Sequence, residues 1–395
     1  MVPTAVSQIV EQIINAVVSV VAASILFGVG IKSNLVYEND QYANAFGAAG
    51  GTIGTGMGAL AALLFLLFLF IGYKRTLKKQ IRMDKSRKVE SYRNIRSVMI
   101  ATVIPVILST AVYNINGILD SSIFGHCLEF LGETEKYSVQ IGVYSGKYLL
   151  LINVPIAISS ALSSSLIPAL TRAVASGNRE DVVKRISMVN RFAMIVAIPA
   201  SVGLVVLAGP IHELLFAGDD NALSIAMTMA GSLTVVFYSL STVSNAILQG
   251  INHMNMPIRN ALISLVLHLL CLIPMVLVLR MEAFALVFSN MLFAICMCVL
   301  NWAVIKRYLH CRQEIKKTFV IPAVASIVMG VVAFGVHYVF NMAVGNTVAS
   351  LAAIFAAVGV YGILLLKFHG ISQKEILSMP KGRSLVRILK KLHLL

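Results

Sequence analysis

The chain has 395 residues, 58% of them hydrophobic and 12% charged, with a formal charge of +15 at pH 7. A soluble domain carries about 25% charged residues, so this composition excludes a water-soluble fold. The basic residues lie in short segments between long apolar runs, a pattern of membrane-protein loops, so no nucleic-acid partner is expected.

A membrane-crossing helix needs about 20 mainly apolar residues. Ten such spans are expected: 4–29, 46–72, 97–124, 141–168, 189–208, 222–249, 259–279, 284–305, 319–341 and 348–367. The fold class is therefore all-α, a polytopic membrane helix bundle. In the first span, Gln8, Glu11, Gln12, Asn15 and Ser19 recur every three or four residues and form one polar stripe. Interhelical hydrogen bonding and cavity lining are both open readings of that stripe.

Between the second and third spans lies the longest basic connection, 73–96, with the sequence YKRTLKKQIRMDKSRKVESYRNIR. It reads as a linker at an anionic inner membrane surface. In the third span Ser109, Tyr113, Asn116 and Asp120 share a face, and Pro105 before them removes a helix hydrogen bond and favours a kink. A polar stripe on a kinked helix suits a transport cavity, although a solvated carboxylate near the outer end is an equal reading of Asp120.

The fourth span carries Lys147 one to two turns inside the apolar run, beside Tyr144 and Tyr148. Snorkelling to the outer interface competes with a cation that faces an anionic headgroup. Farther along, Pro155, five serines between 159 and 165 and Pro168 allow close helix packing. His268, in the seventh span, reads as a packed, hydrogen-bonded residue ahead of a proton-coupling group. The tail from 367 onward is basic with interleaved apolar residues and suits an amphipathic helix on the inner surface.

Charge orients the spans. The segments 73–96, 171–191, 250–260, 306–317 and 367–395 hold 28 of the 32 Lys and Arg residues, while Glu and Asp lean to the other side. The positive-inside rule then places both termini in the cytoplasm of a multi-pass cell-membrane protein. No cleavable signal is expected, because Met1 runs almost directly into the first apolar segment. The sequence has no GxxxxGK[ST], HExxH or GxSxG, so no enzyme activity and no cofactor are expected. Cys296 and Cys298 are two apart and point to different faces of a helix, so no metal site is expected among the five cysteines.

Three stretches resemble the multidrug/oligosaccharidyl-lipid/polysaccharide (MOP) exporter superfamily: VPTAVSQIVEQIINAVVSVVAA at 2–23, the block from GVYSGKYLLLINVPIAISSALSSSLIPALTRAVASGNRED onward at 142–216, and YSLSTVSNAILQGINHMNMPIRNALI at 238–263. IPVILSTAVYNINGILDSSIF at 104–124 fits the same group. The chain is most similar to the polysaccharide-biosynthesis and stage V sporulation protein B branch, relatives of the lipid II flippases. That resemblance implies a MATE-like fold of two six-helix lobes joined by an inner linker and followed by two extra helices. It assigns 1–72 to a two-span remnant of the first lobe, 73–96 to the linker, 97–305 to the second lobe, 306–367 to the extra pair and 368–395 to a basic tail. On this reading the two-lobe fold is incomplete, and four N-terminal spans of the family pattern are missing.

The function implied is a flippase of a polyprenyl-diphosphate-linked saccharide, a lipid II-like cell-wall precursor or polysaccharide unit, working by alternating access in the bilayer beside envelope-synthesis proteins. The cavity residues implied are Lys147, Asn116, Asp120, Tyr113, Tyr144, Glu11 and Asn15, with Lys147 attracting the diphosphate. Two other readings stay open: a cation-coupled multidrug antiporter, which needs a buried acidic pair, and a non-transporting truncated product.

Overall fold

The computed structural model describes residues 2–38, 41–83, 90–309 and 314–370, and within them not the side chains of 2–5, 8, 9, 102, 105, 106, 109, 110, 112 and 113. Every regular element among the described residues is helical. Eight of these helices are long and apolar enough to cross a membrane, or nine when a pair bent by 49° counts as one span. The expected third span falls in α3 (Tyr92–Phe130), several of whose side chains lie outside the described set. The chain divides into two compact units, Met1–Tyr92 and Arg93–Leu395.

The first unit is a helical hairpin of α1 (Val2–Tyr37) and α2 (Gln41–Met83). Lipid offers no hydrophobic reward for pairing two apolar helices, so close packing must do it. The buried face of α2 is a row of small residues, Ala43, Gly50, Gly54, Gly58 and Ala62. At Gly50 an added Cβ would lie 2.5 Å from the Ala22 carbonyl oxygen, and at Gly58 it would lie 2.7 Å from that of Glu11. The glycines thus let backbone meet backbone. Asn15 and Ser19, members of the expected polar stripe, lie on this seam: the Ser19 hydroxyl is 3.0 Å from both Asn15 Oδ1 and the Gly51 carbonyl oxygen.

The basic connection is more helical than expected. Helix α2 runs on through Tyr73–Met83, because Lys, Arg, Leu and Gln are strong helix formers that continue a helix past the apolar stretch. The division between units falls within this connection. The expected amphipathic tail lies outside the described residues from 371 onward, as do Cys311 and Gln8's side chain.

The second unit is built from α3, then α4 (Thr134–Val143), a π-helical turn (Tyr144–Tyr148) and α5 (Leu149–Ala175) as one continuous rod. There follow α6 (Arg179–Val206), short α7 (Ala208–Leu215), α8 (Ala222–Gly231), α9 (Thr234–Gly250), α10 (Asn255–Leu277), α11 (Ala283–Leu309), α12 (Ile321–Val344) and α13 (Asn346–Lys367). Helix α6 starts where Asn178 caps it: its side chain accepts from the Asp181 N–H at 3.0 Å, and Glu180 and Asp181 complement the helix dipole. Helix α5 packs on α6 and α9, α11 on α9 and α10, and the α12–α13 pair on α6. Large apolar side chains such as Phe355 and Val331 point outward, while Ser, Thr, Asn and His side chains fill much of the interior. Polar side chains in the interior and apolar ones outside are expected when the solvent is lipid.

Candidate functional site

Five elements of the second unit bring polar side chains together. Asn116 and Asp120 stand one turn apart on α3, Tyr144 opens the π-helical turn, Tyr238 lies on α9, His268 on α10 and Asn290 on α11. Asn290 is the hub. Its Nδ2 donates to Asp120 Oδ2 at 2.7 Å and to the Tyr144 hydroxyl at 2.8 Å, and its Oδ1 accepts from Asn116 Nδ2 at 2.9 Å and from the Tyr238 hydroxyl at 3.0 Å. His268 Nε2 lies 2.5 Å from Asp120 Oδ1, with the two side chains 0% and 2% exposed. The carboxylate is therefore buried and has a hydrogen-bond partner on each oxygen.

A cavity of about 390 Å³ opens beside this cluster, lined among others by Asn116, Asp120, Tyr144, Ser145, Tyr238 and Asn290. Two backbone irregularities shape its wall. The first is the π-helical turn, which leaves Tyr144 and Tyr148 stacked with ring centroids 5.5 Å apart and both buried. The second is the break between α8 and α9. There the Val235 N–H bonds to the Ser232 carbonyl at 3.1 Å, one residue short of the helical register, and the Gly231 carbonyl oxygen is left to the Tyr148 hydroxyl at 3.3 Å. Irregular backbone at membrane depth survives where protein groups or a watered cavity satisfy it. Such turns are frequent at working sites.

A second buried network lies farther along the same helices. Asn301 donates to Asn245 Oδ1 at 2.8 Å and to the Ser244 hydroxyl at 2.9 Å, and accepts from Asn260 at 2.9 Å. It ties α9, α10 and α11 together and reads as interhelical bonding.

Lys147 is engaged by a loop. Its ammonium reaches the 216–221 loop, with Asn221 Oδ1 at 2.8 Å, Asp219 Oδ2 at 3.2 Å and the Phe216 ring centroid at 5.4 Å. It is not among the residues lining the 390 Å³ cavity. Glu11 and Asn15 belong to the first unit, where both border the α1–α2 seam. The side chains of Tyr113 and Pro105 lie outside the described ones, and the backbone of α3 is assigned as helix throughout. Asn116, Asp120 and Tyr144 are brought together as expected. Asn290 and Tyr238 were not singled out; an Asn inside the apolar run AFALVFSNMLFAICMC is itself the signal that could have found the hub.

The sequence profile of the lipid II flippase MurJ family matches residues 4–377. This chain belongs to that family. Among curated relatives, it is 24% identical over 362 residues to the lipid II flippase MurJ of Bacillus subtilis (strain 168), covering 90% of this chain and 64% of the relative. It is 22% identical over 392 residues to the stage V sporulation protein B of the same organism, covering 98% of this chain and 71% of the relative. This MurJ-family chain thus spans about two thirds of the length of the curated relatives it matches. The resemblance to the MOP exporters is established by the profile and by both relatives, and the chain is a multi-pass membrane protein.

Proposed function

We propose that this MurJ-family chain carries a polyprenyl-diphosphate-linked saccharide, a cell-wall precursor or polysaccharide unit, across the cell membrane by alternating access. The family match over 4–377 carries the reading. The cavity supports it: its lining offers amide and phenol groups that bind sugar hydroxyls, while the polyprenyl tail stays in lipid. The antiporter reading is weaker, because Asp120 is the one carboxylate among the residues lining that cavity and its partner is an imidazole, not a second acid. The charge pattern supports a cytoplasmic location for both termini.

Asn116, Asp120 and Tyr144 are proposed to meet the saccharide. Lys147 is proposed to meet the diphosphate by exchanging Asp219 for it. The test is the purified chain in liposomes containing a fluorescent polyprenyl-diphosphate saccharide, with headgroup exposure read by a membrane-impermeant quencher. Protein-dependent crossing is expected, and Lys147→Ala is expected to slow it about tenfold or more, the worth of one charge-assisted contact. Asp219→Asn, which frees the ammonium, leaves the rate within about twofold. Equal losses in both variants would make Lys147 a loop anchor. Absence of crossing together with gradient-driven uptake of a cationic drug would overturn the flippase reading.

A further inference from the structure

The Asn290 hub accounts for many of the polar groups at the cavity and leaves two carboxamides unexplained. Asn114 on α3 and Asn153 on α5 both line the 390 Å³ cavity, and both are exposed. Neither side chain has a hydrogen-bond partner among the described residues, whereas Asn116, Asp120 and Tyr144 are all bonded to Asn290. A carboxamide within a membrane-spanning helix is costly to leave in lipid, so each belongs to a watered cavity or to a ligand.

The helix faces around the two suit one kind of ligand. Asn114, Gly117 and Ser121 recur at three and four residues along α3, Leu149, Asn153 and Ile156 do so along α5, and all six line the cavity. An added Cβ at Gly117 meets nothing within 4 Å, so the α3 face is open between its two polar side chains. The Ser121 hydroxyl donates to the Gly117 carbonyl oxygen at 3.0 Å, which leaves its lone pairs as acceptors. Each free carboxamide sets two N–H donors beside a carbonyl acceptor, a pattern that neighbouring sugar hydroxyls complement. Leu149 and Ile156 offer apolar contact to the C–H face of a ring. No Lys or Arg is among these lining residues, and the Lys147 ammonium is held by Asn221 and Asp219. An acidic sugar therefore meets no cation in the lining, while an uncharged sugar brings no charge to pair. The volume lies at the small end of ligand sites, which run from about 300 to 1,000 Å³.

We infer that Asn114 and Asn153 are specificity-determining residues that hold an uncharged sugar ring of the headgroup and disfavour an acidic one. The ring is gripped from two helices, α3 and α5, with the Asn290 hub forming the wall behind it. Selection during transport rests on the flippase reading; sugar binding at the pair does not.

The experiment uses the full chain and two lipid probes: a polyprenyl diphosphate bearing a neutral hexose disaccharide, and the same lipid with its outer ring oxidised to a uronic acid. In liposomes the neutral probe is expected to cross about tenfold or more faster than the acidic one. Asn114→Leu and Asn153→Leu are each expected to slow the neutral probe about fivefold, the worth of a neutral hydrogen bond, and to leave the acidic probe unchanged. Asn153→Lys is expected to raise the acidic probe above its wild-type rate, a gain that a misfolded protein cannot show. Equal slowing of both probes in the Leu variants would make the pair structural, and a wild type that carries both probes at one rate overturns the selectivity. The second readout is saturation-transfer NMR of the free neutral disaccharide against the chain in lipid nanodiscs. Transfer to the sugar protons is expected with the wild type and is expected to fall about fivefold in either Leu variant. Transfer absent from the wild type, or equal in all three proteins, overturns the sugar site. A wild type that binds the disaccharide and moves neither probe counts against the flippase reading alone.

Discussion

Asn290→Leu is expected to lower the stability of the Arg93–Leu395 unit by about 3 kcal/mol or more, because it strips a buried carboxylate of one of its two donors and removes hydrogen bonds to Asn116, Tyr144 and Tyr238. The comparison with a single neutral bond makes the size decisive. Hydrogen bonds between membrane helices average about 0.6 kcal/mol, since the unfolded chain in the membrane also finds partners. Tyr238→Phe removes one such bond, 3.0 Å from hydroxyl to Asn290 Oδ1, and is expected to cost about that much. Asn290→Leu removes the donor that holds Asp120 Oδ2 at 2.7 Å, on a carboxylate that is 2% exposed. Denaturation midpoints of the two variants in the same detergent separate them. Similar losses in both would mean that the hub is only a sum of ordinary bonds.

Gly54→Leu is expected to destabilise the α1–α2 hairpin by about 3 kcal/mol, the upper part of the usual range for overpacking. A Cβ at Gly54 would fall on the Ser19 hydroxyl and lie 2.5 Å from the Ser19 backbone nitrogen. A side chain could rotate away; backbone cannot, so the helices must separate along the whole seam. Gly51→Leu is the control, since an added Cβ there meets nothing within 4 Å on the same helix. Thermal midpoints that fall for Gly54→Leu and hold for Gly51→Leu confirm backbone contact as the cause. Equal behaviour of the two variants would contradict it.

These two variants also mark what the sequence made legible. Hydropathy and charge revealed a membrane helix bundle, because lipid imposes length and composition on each span directly. Polar residues inside apolar runs pointed to Asn116, Asp120 and Tyr144, because a protein interior or a cavity accommodates them. The partners were harder. His268 and Asn290 lie 148 and 170 residues beyond Asp120, and no local spacing says that α10 and α11 meet α3. The partners of Lys147 were hidden for the same reason: the loop at 216–221 that holds its ammonium is about 70 residues away along the chain. The glycine row of α2 was legible in principle as GGTIGTGMG, and its meaning appears once α1 is laid on it.

The central claim is that polar headgroups pass through the cavity beside Asn290. Ser145 lines that cavity, is exposed, and bonds only to the Ile141 carbonyl one turn back among its hydrogen bonds described here. Ser145→Trp puts bulk into that space and removes none of the hydrogen bonds of the Asp120–Asn290 hub. In liposomes carrying the fluorescent polyprenyl-diphosphate saccharide, the account predicts that crossing falls about tenfold or more, roughly 1.4 kcal/mol of added barrier, with an unchanged denaturation midpoint. Crossing at the wild-type rate by a fully folded Ser145→Trp protein would contradict it.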